Sequence, residues 1–200
     1  MDHLFALAGL LCVAAITPGP NNLVVLRASG HAGFRAAMPA IAGIVLGGLL
    51  LLTLVAAGAG MAFEAHPSLK SWISAIGSLY LAWLGISLCA SGMVPRSGTA
   101  ISTEPALPAG VLGLIGFQFL NPKSWVMALT ALAATPATTL GDYLPLAGLF
   151  ALIPALCLLL WASLGTWLSR WLVRPGVRRG VDVVMGALLL ACAALLLLEF

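Results

Sequence analysis

The chain has 200 residues, of which 62% are hydrophobic and only 8% are charged, and its formal net charge is +3 at pH 7. Soluble domains carry roughly a quarter charged residues, so this composition excludes an ordinary soluble domain and indicates an integral membrane protein. The basic residues are spread along the chain and are not interleaved with aromatic residues, which argues against a nucleic-acid partner. The expected surroundings are the lipid bilayer.

Six apolar segments are long enough to cross a bilayer, which takes about 20 residues of helix. They are residues 4–26, 37–63, 72–93, 109–134, 143–168 and 181–198. The longest polar connection, residues 95–108, divides these segments into three and three. We therefore predict a single all-α membrane domain, residues 1–200, with six transmembrane helices. Residues 1–94 and 109–200 are expected to form two inverted three-helix repeats, because an odd number of spans per half reverses the second half.

Proline and polar residues interrupt the first and fourth of these segments. The first contains Thr17-Pro18-Gly19-Pro20-Asn21-Asn22, and the fourth contains Gln118-Phe119-Leu120-Asn121-Pro122-Lys123. Proline removes a backbone donor, and the carbonyls and amides freed at a break are tolerated at membrane depth only where they face protein or water. Broken helices in both halves of a chain are typical of the substrate site of a secondary transporter. The predicted substrate-binding residues are Pro18, Gly19, Pro20, Asn21, Asn22, Gln118, Asn121, Pro122 and Lys123.

Lys123 is the only basic residue expected deep inside a segment. A charge at that depth is costly and usually faces the bundle interior or a wet cavity, which makes it a functional candidate. Its ammonium group could bind a carboxylate, or it could be held by carbonyls freed at Pro122. The alternative is that the span is shifted and Lys123 extends to an interface.

The remaining polar residues at the breaks are amides. Asn21 and Asn22 follow Pro20 directly and could bind an anionic group at the start of a half-helix. The alternative is structural, because asparagine is a favoured N-cap and could restart the helix. Gln118 could share the cavity with Asn121, or it could form a hydrogen bond between helices.

The basic residues predict an orientation. Seven of them lie in the first, third and fifth connections, and the opposite side holds Lys70 alone. The seven are Arg27, Arg35, Arg96, Arg170, Arg174, Arg178 and Arg179. The excess of basic residues in cytoplasmic loops therefore places these three connections in the cytoplasm and both termini outside.

Gly43 and Gly47 form a G-x-x-x-G pair in the second segment. Such a pair lets another helix approach closely, and we expect it to pack within the monomer. A homodimer interface is the alternative.

At these residues the chain resembles the LysE/RhtB superfamily of amino-acid exporters. The resemblance rests on Thr-Pro-Gly-Pro-Asn-Asn, on Gly33-Phe34-Arg35 and on Asn-Pro-Lys, and it covers nearly the whole chain. It implies a transporter of a small amino acid in the bacterial inner membrane, without a cofactor and without enzymatic activity. The segment from His31 to Arg35, together with Pro-Gly-Pro-Asn-Asn-Leu, is similar to the branch that exports cysteine and O-acetylserine.

The chain departs from many of these relatives in having Asn21 where they have an aspartate. The departure removes the most natural proton acceptor inside the membrane. All six carboxylates are expected at connections or ends, where Asp182 and Glu199 are close enough to spans to be linked to protons. The energy source of export is therefore left open.

Two other function classes fit the pattern less well. An intramembrane serine protease needs a histidine base near its nucleophile, and His3, His31 and His66 all lie at ends or connections. A transmembrane thiol-electron carrier needs a reactive cysteine beside each break, and the fourth segment contains none. The four cysteines, Cys12, Cys89, Cys157 and Cys192, lie far apart in apolar segments without metal-ligand spacing and are expected to serve as packing residues.

The predicted orientation can be tested with single cysteines at Ser97 and Ser68 in a cysteine-free background. We expect an impermeant thiol reagent to label the Ser68 position in intact cells and the Ser97 position only after the membrane is opened. Labelling of the Ser97 position in intact cells would show that the orientation is reversed.

Overall fold

The computed structural model describes residues 2–59, 61, 65–93, 110–134, 139–172 and 175–198. Within these ranges the chain is helical and contains no strand. The helices are α1 (Asp2–Ile16), α2 (Pro20–Ala32), α3 (Met38–Leu54), α4 (Pro67–Met93), α5 (Gly110–Leu120), α6 (Pro122–Ala134), α7 (Leu140–Leu172) and α8 (Pro175–Leu198). A 3-10 turn, Phe34–Ala37, precedes α3, and a π-helical turn, Val55–Ala59, follows it. The predicted linker, residues 95–108, lies outside the described residues.

Each predicted interruption separates two helices. Between α1 and α2 the chain bends by 58°, and between α5 and α6 the single residue Asn121 leaves the helix. Pro20 and Pro122 are each the first residue of the helix that follows. Proline suits that position, because the first N–H groups of a helix have no partner within it and the fixed φ of proline already matches the helix.

The helices are suited to a membrane. Three of those described are long and apolar enough to cross a bilayer, and the bent pair α1–α2 makes a fourth. With 11 and 13 residues, α5 and α6 are each too short to cross alone. Large apolar side chains face outward, as Phe5 and Leu112 show with 76% and 82% of their surface exposed. An all-helical membrane protein, as predicted, is therefore confirmed.

Two charged residues lie elsewhere than expected. Arg27 lies inside α2, which continues to Ala32, and Asp182 lies inside α8, and both side chains are 5% exposed. Their placement at connections and the expectation that no carboxylate is buried were therefore wrong. The reason is that the helices extend beyond the apolar segments and stay packed there, α2 against α7 and α4 against α8.

Glycines form the closest helix contacts of the bundle. Gly43 and Gly47 of α3 face the backbone of α5, where a Cβ on Gly43 would lie 2.7 Å from the carbonyl oxygen of Val111. Gly85 of α4 and Gly186 of α8 face each other, and a Cβ on either would lie within 2.8 Å of the other's carbonyl oxygen. The prediction that Gly43 and Gly47 pack within the monomer is thus confirmed, and their face of α3 is covered by α5.

Replacing Gly47 by alanine should destabilise the protein. The added Cβ would lie 2.8 Å from the Cα and carbonyl oxygen of Ile115 and 2.7 Å from Cγ of Gln118, so α5 must shift. Overpacking of this kind typically costs about 1–3 kcal/mol, and we expect a lower melting temperature of the detergent-solubilised protein. Gly116→Ala is the matched control, because its Cβ would meet nothing within 4 Å. Equal melting temperatures for the two variants would contradict the assigned helix contact.

Candidate functional site

The two breaks border one cavity between α2, α3, α6 and α7. Its volume is about 50 Å³, enough for several water molecules or part of a small solute. The lining residues are Ala15, Gly19, Pro20, Asn21, Asn22, Ile44, Val45, Gly48, Gln118, Asn121, Lys123, Ser124, Met127, Phe150, Pro154 and Leu158. Seven of the nine predicted site residues are among them. Pro18 and Pro122 are not, since Pro18 is exposed and Pro122 is buried at the start of α6.

Side chains from two other helices donate hydrogen bonds to the last carbonyls of the first half-helix. Asn22 of α2 donates from Nδ2 to the carbonyl oxygens of Ala15 at 3.0 Å and Thr17 at 2.8 Å. Trp161 of α7 donates from Nε1 to the carbonyl of Ile16 at 3.3 Å. Such carbonyls have no partner in the helix itself and carry its negative dipole end.

Lys123 crosses from the second break to the first. Its ammonium group donates to the carbonyl oxygen of Thr17 at 2.9 Å and to the Thr17 hydroxyl at 3.0 Å. A cation is favourable at this end of α1, because the helix dipole is negative there. A Cβ at position 19 would lie 3.1 Å from Nζ of Lys123, so Gly19 leaves the space that the ammonium group uses.

A pair of amides joins the two breaks directly. Asn21 donates from Nδ2 to Oε1 of Gln118 at 3.0 Å, and Gln118 donates from Nε2 to Oδ1 of Asn21 at 3.1 Å. The hydroxyl of Ser124 donates to the same Oε1 atom at 2.8 Å. Gln118 therefore lines the cavity and also forms a hydrogen bond between helices, so both interpretations of this residue hold.

Asn121 has a donor without a partner. Its side chain is 2% exposed and lines the cavity, and Oδ1 accepts the backbone N–H of Lys123 at 3.2 Å. Within the described residues, Nδ2 has no hydrogen-bond acceptor. Burying such a group is costly unless something accepts from it. The free N–H groups of Asn121 are therefore suited to an oxygen atom of a ligand.

The rest of the cavity is apolar, and no acidic residue is among the described residues that line it. Ile44, Val45, Met127, Phe150 and Leu158 form this wall. None of the four cysteines is among the lining residues. Over the described ranges no three His, Cys, Asp or Glu side chains come together in a way that could hold a metal ion. The chemistry of the site is thus one ammonium group, amides and a hydroxyl beside an apolar wall.

Several features of the site were not predicted. Thr17 belongs to the first motif but was not chosen, although its carbonyl is the acceptor that Lys123 and Asn22 share. Ser124 follows Lys123 directly, and a short polar residue beside a lysine expected deep in a span was the available signal. The N-cap interpretation of the asparagines was wrong, because Gly19 is the N-cap of α2 and no side chain caps it. Asn22 instead donates hydrogen bonds to the carbonyls at the end of α1.

The sequence matches the family model described as "LysE type translocator" over residues 12–199. The chain belongs to the LysE family. It is 30% identical over 187 residues to the cysteine/O-acetylserine efflux protein of Salmonella typhimurium strain LT2, covering 90% of each chain. It is 29% identical over 190 residues to the protein of the same name from Klebsiella pneumoniae, covering 94% of this chain and 93% of the relative. No solved structure gives a significant match.

Membership of the LysE family confirms the resemblance that the three motifs indicated. The family consists of translocators, so this chain is a multi-pass membrane transporter rather than an enzyme. The intramembrane enzyme, one of the alternative classes, is thereby excluded. The site residues gain no assignment from the family match, and their roles rest on the geometry described above.

Proposed function

We propose that this LysE-family transporter exports a small amino acid or amino-acid derivative across the bacterial inner membrane, with cysteine and O-acetylserine as the leading substrates. The observation that carries this proposal is the convergence of two broken helices on one cavity, where a lysine lies beside amide N–H groups that have no acceptor in the described part of the chain. The names of the relatives support the substrate class. No cofactor is required, because the substrate is moved and not altered.

In this proposal Lys123 and Asn121 bind the carboxylate of the substrate. An ammonium group has three donors, and two of those on Lys123 are used by Thr17. The third is available to a carboxylate, as are the N–H groups of Asn121 that lack an acceptor among the described residues. Charge-assisted hydrogen bonds of this kind are roughly twice as strong as neutral ones. The apolar wall leaves room for a short side chain.

The helix contacts support six spans arranged as two inverted repeats. In this arrangement α1–α2, α3 and α4 correspond to α5–α6, α7 and α8. The first broken helix packs on α7 and the second on α3, while α4 packs on α8. Exchanging the two halves converts the contact of the first broken helix with α7 into that of the second broken helix with α3. The contact between α4 and α8 is unchanged. A twofold axis in the membrane plane requires this pattern. The substrate site then lies at the interface of the repeats.

The proposed activity can be tested with purified protein in liposomes. We expect uptake of labelled cysteine, O-acetylserine or a related neutral amino acid above that of protein-free liposomes, in a panel assayed under imposed pH and sodium gradients. Cells that overproduce the protein should also resist an excess of the same compound and contain less of it. Unchanged uptake and unchanged intracellular levels across the whole panel would count decisively against amino-acid export.

Replacing Lys123 by methionine should weaken transport by about a hundredfold or more, because breaking a buried charge contact costs several kcal/mol and each 1.4 kcal/mol is tenfold in affinity. Lys123→Arg should restore little, because a planar guanidinium does not replace a compact ammonium group in a tight cavity. Initial rates in liposomes, at equal protein content, give the measurement.

The matched control is Lys70→Met, which alters the only other lysine of the chain and should transport normally. If Lys123 served only to reach an interface, arginine would be fully active and methionine nearly so. Wild-type rate and apparent affinity in Lys123→Met would remove this residue from the proposed site.

A further inference from the structure

The fifth predicted span contains two prolines in the interior of its helix. Helix α7 runs through 33 residues and includes Pro145 and Pro154 in its interior. Proline has no N–H group, so the hydrogen bond that residue 154 would donate to the carbonyl of Phe150 is missing, and the ring pushes that carbonyl aside. At membrane depth a carbonyl that has lost its helical partner needs another donor.

The carbonyl freed by Pro154 lies on the cavity side of α7. Residues four apart share a helix face, and both Phe150 and Pro154 line the cavity. A helical carbonyl points along the axis toward the residue four positions later, so the oxygen of Phe150 lies between these two lining residues. Pro145 differs, because it is exposed and does not line the cavity.

Few of the other polar groups of the cavity offer a free acceptor to a cationic group of a ligand. In the described part of the chain no acidic residue lines the cavity. Oε1 of Gln118 already accepts from Asn21 and Ser124, and Oδ1 of Asn21 accepts from Gln118. Lys123 and the Nδ2 atom of Asn121 are donors and suit a negative group. The carbonyl of Phe150, which Pro154 deprives of its helical donor, is a neutral oxygen acceptor for an ammonium group, beside the side-chain oxygen of Asn22.

We infer that the backbone carbonyl of Phe150, freed by Pro154, binds the α-ammonium group of the substrate, while Lys123 and Asn121 bind its carboxylate. This inference rests on the proposed amino-acid export and sharpens it. The proposed contact requires a substrate with a free α-amino group, because an analogue without that group leaves the Phe150 carbonyl unpaired. A site that requires a buried polar pair rejects analogues that lack one partner.

Pro154→Ala tests this inference, because alanine restores the N–H group and lets the helix close its hydrogen bond to Phe150. The probes are L-cysteine and 3-mercaptopropionate, which share the carboxylate and thiol and differ in the amino group. Affinities are measured by equilibrium binding to purified, monodisperse protein under reducing conditions. Wild-type protein should prefer L-cysteine by about tenfold or more, the size expected for a hydrogen bond to a charged group. In Pro154→Ala the affinity for L-cysteine should fall to that for 3-mercaptopropionate.

Pro145→Ala is the matched control, since it makes the same change in the same helix away from the cavity and should keep the wild-type preference. A general distortion of α7 would lower both affinities together and leave their ratio unchanged, which would overturn the inference. The inference also fails if the wild-type protein binds both probes equally, a result that needs no variant to fold. Wild-type protein that binds no amino acid at all would instead contradict the proposed function, and the inference with it.

Discussion

The site depends on three successive carbonyls at the end of α1, each of which needs a hydrogen-bond donor from another helix. The oxygens of Ala15, Ile16 and Thr17 accept hydrogen bonds from side chains of α2, α6 and α7. An apolar medium offers these carbonyls no partner, and each one left bare would cost several kcal/mol. The break in the first helix is therefore stable only when three other helices stand in fixed positions around it. The same requirement that permits the break also positions the polar groups of the cavity.

The two breaks are linked to each other. Lys123 of the second break satisfies Thr17 of the first, and Asn21 of the first pairs with Gln118 beside the second. Neither break can move alone without exposing polar groups, so a change in access to the cavity has to rearrange both. Glycines such as Gly85 and Gly186 bring the backbones of α4 and α8 close together.

Sequence patterns predicted the helical membrane architecture and the ends of α1 and α5, because proline followed by polar residues inside an apolar segment interrupts a membrane helix. Seven of the nine residues chosen from the two breaks line the cavity, whereas Pro18 and Pro122 do not, and the lining residues from α3 and α7 were not predicted. They did not reveal which carbonyl Lys123 would contact, since that depends on how two distant segments are packed. The burial of Arg27 and Asp182 was missed for the same reason, because hydropathy reports composition along the chain and not contacts between helices. Pro154 was visible in the sequence, but nothing along the chain linked it to the breaks.

The described residues that line the cavity include no acidic side chain, and this composition determines the charge of the site. The ammonium group of Lys123 is held there by neutral oxygens of Thr17, so the empty site carries one net positive charge. A zwitterionic substrate, as proposed above, adds no net charge on binding, so the site carries the same charge with and without it. A membrane potential acts with about 2.3 kcal/mol per elementary charge per 100 mV, and it would favour or oppose both states equally. Exchange of one zwitterion for another at this site is therefore electrically silent, and any current during net export must come from a coupled ion.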